Sequence, residues 1–449
     1  MREAFRASIA HCRERPTPAS EKGSHPQRGQ TPFRTKGSDP FVLEYFEDGL
    51  LVVEDGVIVE AGDASALLSQ LGEAVSVTDY AGKIIVPGFI DCHVHFPQLD
   101  IIASYGEQLL DWLNRYAFPV EAEFSDEAHA HEVAGFFLDE LLVNGTTTAL
   151  VFGTVHPHSA DAIFEAAASR GMRLIAGKVL MDSHCPAELQ DDPVSAYADS
   201  KSLIERWHGK GRLGYAITPR FALTSSEEQL AAAGRLAAEY PDVWMHTHLA
   251  ENRAEVEVIA QQFPDSRSYL DVYDHYGLLR ERSVFAHCLH MDDSDRQRMA
   301  TKGGAAAFCP TSNLFLGSGL FDLAAMRSAN VRVGLGTDVG GGTSLSLLKT
   351  ASEAYKVLHL QEQALPASDA LYLATLGGAE ALDLDDKIGN FEHGKEADFV
   401  VLDPAGTPLS ERRNRLSSSI EESLFAVMML GDDRHVAATY VAGSKVRIK

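Results

Sequence analysis

KIIVPGFIDCHVHFPQ, residues 83–98, is the stretch that decides the fold. Its apolar, β-branched beginning reads as a buried strand, and the strand ends in two histidines spaced two residues apart. Side chains alternate along a strand, so His93 and His95 point to one face and can share a metal ion. The H-x-H spacing alone is weak evidence, because His129/His131 and His156/His158 repeat it. His129 and His131 lie in a helical stretch, where residues i and i+2 do not face each other. His156 and His158 follow a strand in a loop and read as surface histidines.

Working outward, seven further apolar runs follow at regular intervals: TTTALVFG (146–153), RLIAGKVL (173–180), LGYAITPRF (213–221), VWMHTHLA (243–250), SVFAHC (283–288), AAAFCPTS (305–312) and VRVGLGTDVG (331–340). Amphipathic stretches such as 127–145 and 226–240 separate them. Eight β/α alternations predict an α/β protein built on a (β/α)₈ TIM barrel. A doubly wound open sheet is the alternative, but no G-x-G-x-x-G turn follows any strand, so dinucleotide binding has no support.

The two ends of the chain have a different character. LLVVEDGVIVEAG (50–62) is a pair of strands around Asp55-Gly56, a hairpin signal, and ADFVVLD (397–403) and ATYVAGSKVRIK (438–449) read as strands. The expected organisation is a variable, partly disordered N-terminal segment (1–40), a small β-sandwich domain formed by both ends (41–84 and 389–449), and the barrel between them (85–388). Residues 13–40, rich in Pro, Ser, Gly and basic residues, read as loop.

Composition narrows the function classes. In 449 residues, 39 Lys and Arg face 64 Asp and Glu, a net charge of −25. Such a surface repels nucleic-acid phosphates and anionic membranes, so neither is an expected partner. No apolar run reaches the roughly 20 residues needed to span a bilayer, and Met1–Cys12 lacks a secretory apolar region. A cytoplasmic enzyme is the expectation. The five cysteines form no C-x-x-C pair, which excludes a zinc ribbon and argues for reduced thiols.

Reactive residues of a barrel come from the C-terminal ends of its strands. The fifth run ends His246-Thr247-His248-Leu249-Ala250-Glu251, offering His248 as a third imidazole and Glu251 just above it. His246 shares its parity but sits one layer deeper, as a packing or supporting residue. The sixth run ends in His287, and the eighth in Thr337-Asp338 followed by a glycine run. Taken singly, His287, Asp338 and Glu251 read as satisfied polar residues at strand ends. Together with His93, His95 and His248 they make a metal centre the better reading.

VPGFIDCHVH, then H-x-x-E, a histidine on the next strand and G-T-D on the last resembles the amidohydrolase superfamily over nearly the whole chain after residue 45. HVHFPQ (93–98), TPRF (218–221), HLAENRAEV (248–256), CPTSNLFLGSG (309–319) and DVGGGTS (338–344) are similar to the guanine deaminases within it. This resemblance implies hydrolytic deamination of guanine at one Zn²⁺ per chain, which lowers the pKa of water from about 15.7 to about 7. It implies His93, His95, His248 and Asp338 as ligands. The run LGYAITPRF has no lysine to bridge a second metal, and Lys178, on the third strand, reads as an ordinary polar residue near the rim. Asp338 would accept a proton from the attacking water, Glu251 would donate to ring N3, and His287 would hydrogen-bond the nucleophile or oxyanion. Gln98, Arg220 and Phe221 would recognise the purine, an arginine fork matching its O6/N7 edge. A homodimer is also implied. Other heterocycles (a pterin, a triazine, 8-oxoguanine) remain open as substrates, as does a non-catalytic scaffold.

Overall fold

The structure, a computed structural model, describes residues 2–15, 41–72, 75–106 and 108–446. Its strands in chain order are β1 (Arg2–Glu14), β2 (Phe41–Glu54), β3 (Val57–Asp63), β4 (Ser76–Pro87), β5 (Phe89–His95), β6 (Thr146–Phe152), β7 (Arg173–Gly177), β8 (Val179–Leu180), β9 (Leu213–Pro219), β10 (Trp244–Leu249), β11 (Ser283–His287), β12 (Ala305–Phe308), β13 (Arg332–Leu335), β14 (Phe399–Leu402), β15 (Val436–Val441) and β16 (Ser444–Lys445). They divide into two sheets.

The barrel sheet runs β5-β6-β7-β9-β10-β11-β12-β13, all parallel, and each strand falls within one of the eight apolar runs of the sequence. The short β8 pairs with β9. Every residue of β5, β6 and β9 is buried, as expected of parallel strands covered on both faces. Two backbone hydrogen bonds join the last strand to the first. The Asp338 N–H donates to the His93 carbonyl and the His95 N–H to the Val339 carbonyl, both at 2.9 Å. Beneath them the buried Asp91 carboxylate accepts from the Thr337 N–H (3.0 Å) and the Thr337 hydroxyl. The helices start where their caps dictate. Asp126 accepts from the N–H groups of Ala128 and His129 to open Glu127–Val143, and the Ser226 hydroxyl accepts from Gln229 N–H to open Glu227–Glu239.

The second sheet has the order β16-β15-β14-β4-β1-β2-β3. Three strand spacings separate β15 from β1, roughly 14 Å in a flat sheet. The rings of Phe5 and Tyr440 nevertheless lie 4.9 Å apart, with Phe399 against both. The sheet therefore curls over a core of its own, and this supplies the sandwich-like packing expected of the chain ends. The hairpin at Asp55-Gly56 is present, with Glu54 opposite Val57.

Three boundaries differ from the sequence reading. Within the N-terminal segment Arg2–Glu14 belongs to the small domain's sheet: it is a 13-residue strand between β4 and β2. Both of its faces are buried, Phe5, Ala7 and Ile9 in one apolar cluster and Ala4, Ala10 and Cys12 in others, while Arg2, Arg6 and Arg13 interrupt the apolar run. The loop reading of 13–40 lies, after Arg15, outside the described residues. The small domain also extends to Pro87, because β4 pairs with β14 as far as Phe399↔Pro87. Gly88 alone separates β4 from β5, where a Cβ would fall 2.1 Å from Thr147 Oγ1. Finally, the C-terminal part is not wholly β, since Pro408–Asn414 and Ile420–Leu430 are helices. Leu424, Val427 and Met428 of the second are buried in the main core.

Removing residues 1–15 would leave the facing edges of β4 and β2 unpaired. The truncated chain is expected to be recovered mainly as aggregate, with a much lower thermal midpoint in any soluble fraction. A soluble truncation with the full-length midpoint would contradict the placement of β1.

Candidate metal centre and substrate pocket

Barrel closure brings residues far apart in sequence to one point. His93 and His95 end β5, His248 lies near the end of β10, and Asp338 follows β13. Their ligand atoms all lie within 4.8 Å of one another. His93 Nε2 and His95 Nε2 stand 3.1 and 3.4 Å from Asp338 Oδ1, and His95 Nε2 stands 3.1 Å from His248 Nε2. A tetrahedron with bonds of 2.0–2.1 Å has edges of about 3.3 Å, so this spacing suits a zinc-sized ion.

The hydrogen-bond network sets the tautomers of His248 and His93 in the same sense. His248 Nδ1 donates to the Arg220 carbonyl at 2.7 Å, leaving the Nε2 lone pair facing the cluster. His93 Nδ1 lies 2.7 Å from His246 Nε2, and donation along that line frees His93 Nε2, which is buried without a hydrogen-bond partner. A ligand imidazole steadied through its other nitrogen is the usual arrangement around a bound metal. The Phe152 ring, at the end of β6, packs on all four imidazoles (His93, His95, His246 and His248) with centroids 4.4–5.3 Å away. Burial holds His93, His246 and His248 below the ordinary histidine pKa and His95 at about 3, so all four are neutral donors.

Two carboxyl groups beside this cluster are driven apart. Burial, reinforced by the Asp338 charge, raises Glu251 to about 8, so it holds its proton at neutral pH. Burial would raise Asp338 as well, but the adjoining histidines, His93 first, outweigh it and keep Asp338 ionised. His287 stands between the two, its Nε2 3.4 Å from Glu251 Oε2 and 3.7 Å from Asp338 Oδ2. Asn313 Oδ1 accepts from His287 Nδ1 at 2.8 Å, and the Ser318 hydroxyl donates to Glu251 Oε1 at 3.1 Å. Asp338 (φ 51°) and His287 (φ 71°) both occupy the left-handed region, an uncommon backbone for residues with a Cβ.

The cluster forms the floor of a cleft of about 390 Å³, walled by Leu109, Trp112, Leu113 and Leu316. The three residues expected to recognise a substrate also line it. Arg220 is 2% exposed and donates from Nη1 to Glu121 Oε2 at 2.5 Å, with Phe118 under its guanidinium. Gln98 Nε2 donates to the other Glu121 oxygen at 2.8 Å, and Gln98 Oε1 accepts from Gly340 N–H at 3.2 Å. Phe221 is buried, its ring 6.2 Å from that of His248. Lys178 is buried in an ion pair with Asp191 rather than sitting free at the rim. His158 donates to the Phe124 carbonyl (2.7 Å), and the exposed His131 stays outside the cluster.

Four residues of the site went unread in the sequence: Glu121, Phe152, Asn313 and Ser318. Asn313 and Ser318 sit inside CPTSNLFLGSG, so the motif pointed to their segment without assigning them a task. Glu121 comes from the short helix Phe118–Ala122, to which no strand or motif directs attention.

A sequence model of the amidohydrolase family matches residues 84–446. The chain belongs to the amidohydrolase family. It is 54% identical over 404 residues to a guanine deaminase of Escherichia coli (strain K12), covering 90% of this chain and 92% of that protein. It is 44% identical over 415 residues to a probable guanine deaminase of Deinococcus radiodurans, covering 91% and 94%. Among solved structures, E. coli guanine deaminase matches with a TM-score of 0.92 at 49% identity over 99% of both chains. Guanine deaminase from C. acetobutylicum, with guanine bound in its active site, matches with a TM-score of 0.85 at 28% identity over the whole of both chains.

His93→Ala or His248→Ala would take away one of the four side chains that could hold a metal ion here, and losing one of so few donors sharply weakens metal binding. Metal analysis after gel filtration should find each variant largely metal-free and the parent loaded. Full metal occupancy in either variant would place the metal elsewhere.

Proposed function

We propose that this chain hydrolyses guanine to xanthine and ammonia, with one Zn²⁺ per chain held by His93, His95, His248 and Asp338. The observation that carries the reading is the juxtaposition of three parts. A neutral-imidazole and carboxylate cluster lies within reach of a protonated Glu251 and an ionised Asp338, under a pocket presenting Arg220 and Gln98. The guanine deaminases to which the chain is similar support the choice of base. The ion, when bound, supplies a nucleophilic hydroxide at neutral pH and polarises the reacting carbon.

The protein's own residues do the remainder. Asp338, ionised beside His93, takes the proton from the attacking water as oxygen bonds to C2 of the base. Glu251 delivers its proton to N3, neutralising the charge that develops in the ring. It then takes up the proton left on the added oxygen and passes it to the departing amino group, and the proton held by Asp338 returns to Glu251 to restore both acids. The C2–N bond breaks and ammonia leaves. A pair of acids held at opposite protonation states by their surroundings is the arrangement that assigns acid and base roles. His287, steadied by Asn313, hydrogen-bonds the oxygen during attack. Arg220 and Gln98 face the O6, N7 and N1 edge, and the apolar walls exclude water from the reacting face.

The same reading carries with it a cytoplasmic enzyme that acts as a homodimer. No helix among the described residues is long and apolar enough to cross a membrane, and the net charge of −25 disfavours contact with polyanions.

Glu251→Gln keeps the shape and loses the proton. Positioned acid–base groups contribute ~10²–10⁴-fold, so ammonia release from guanine should fall at least about 100-fold with metal content unchanged. Because Glu251 must start protonated, kcat/KM falls as pH rises through its pKa. Burial sets that limb near pH 8, and the charge of a bound cation moves it lower. A variant rate within a few-fold of the parent, or an unchanged basic limb, would remove Glu251 from the mechanism.

A further inference from the structure

Both polar side chains that face the purine end on the same buried carboxylate. Glu121 is 1% exposed, 23 residues from Gln98 and 99 from Arg220 along the chain, and it accepts from both. The Gly340 N–H can only donate, and this settles the orientation of the Gln98 amide, its oxygen toward Gly340 and its nitrogen toward Glu121. The second N–H of Gln98 points at His95 Nδ1, 3.4 Å away, and one lone pair of its oxygen remains for a ligand, with its position fixed. Arg220 is held on two sides by one short helix, Phe118 beneath its plane and Glu121 at its edge. The pair also cancels charge, so a neutral base meets a neutral recognition edge.

We propose that Glu121 is the positioning residue for substrate selectivity: it fixes the donor and acceptor pattern of Gln98 and Arg220 and tunes the pocket to a neutral purine over an anionic one. This rests on the reading of Gln98 and Arg220 as the residues that contact guanine. The discrimination matters because the product, xanthine, carries a second ring carbonyl and is a stronger N–H acid than guanine. A pocket with an uncompensated Arg220 would retain the xanthine anion.

The test compares Glu121→Gln and Glu121→Asp with the parent holoenzyme. In Glu121→Gln the amide can satisfy one neighbour only by turning a donor on the other. Misplacing reacting partners by about 1 Å costs on the order of 10²-fold, and here the loss should appear mainly in KM for guanine with metal content unchanged. Xanthine inhibition should strengthen at least about 5-fold relative to guanine KM, and more so as pH rises and xanthine ionises. Glu121→Asp keeps the charge but retracts by one methylene, so it should retain the KM defect and lose the enhanced xanthine inhibition. If Glu121→Gln fails to accumulate, Glu121→Asp carries the test, and a parental KM in it overturns the positioning claim. In a background carrying both Arg220→Ala and Gln98→Ala, Glu121→Gln should add little further loss, because it acts through those two side chains. Independent, multiplying effects would mean a purely structural acid. If Arg220→Ala and Gln98→Ala themselves leave guanine kinetics unchanged, the reading of the pocket fails rather than the role of Glu121.

Discussion

The closure of the barrel between β5 and the turn after β13 is the constraint on which everything else depends. His93 and Asp338 are 245 positions apart in the chain, yet His93 Nε2 and Asp338 Oδ1 stand 3.1 Å apart. They do so because the Asp338 N–H bonds to the carbonyl of His93 itself, with Asp91 and Thr337 locking the layer below. The same backbone contacts that complete the sheet therefore bring together the side chains that could hold a metal ion. Gly342 belongs to this arrangement, since a Cβ there would fall 1.8 Å from the Thr337 carbonyl oxygen. Its backbone has to turn back over the strand end for Asp338 to point inward.

Around that centre the protein arranges environments rather than unusual groups. Glu251 and Asp338 are both carboxylic acids in the same dry cleft, and burial acts on both alike. They differ because histidines crowd Asp338, whereas Glu251 faces an alcohol and the repelling charge of Asp338. This is the logic by which one site holds an acid and a base at a single pH. Glu121 extends it outward: a third buried carboxylate, balanced by Arg220, whose business is orientation.

The barrel was legible in the sequence because its strands are buried on both faces and read as short, continuous apolar runs. Their ends pointed to the candidate metal-holding side chains, strand parity placing His93 and His95 on one face and the family resemblance adding His248 and Asp338. The strand β1 was hidden because its charges, Arg2, Arg6 and Arg13 among them, broke the apolar run, and because its partners β4 and β2 come from later in the chain. Glu121 and Phe152 were illegible for a different reason. Glu121 takes its role from two side chains brought to it only by the fold, and Phe152 is one apolar residue in an apolar strand until four imidazoles surround it.

The central claim is that this arrangement removes the C2 amino group of guanine and is shaped to refuse a base carrying an amino group where O6 should be. The most direct measurement is kcat/KM for ammonia release by the zinc-loaded chain from guanine and from adenine in the same assay. A site built to bond a polar group can reject an analogue lacking it by ~10⁴–10⁵. Xanthine formed from guanine in step with ammonia, with adenine slower by orders of magnitude, is the expected result. Equal turnover of the two bases, or none of guanine by metal-replete protein, would contradict the account.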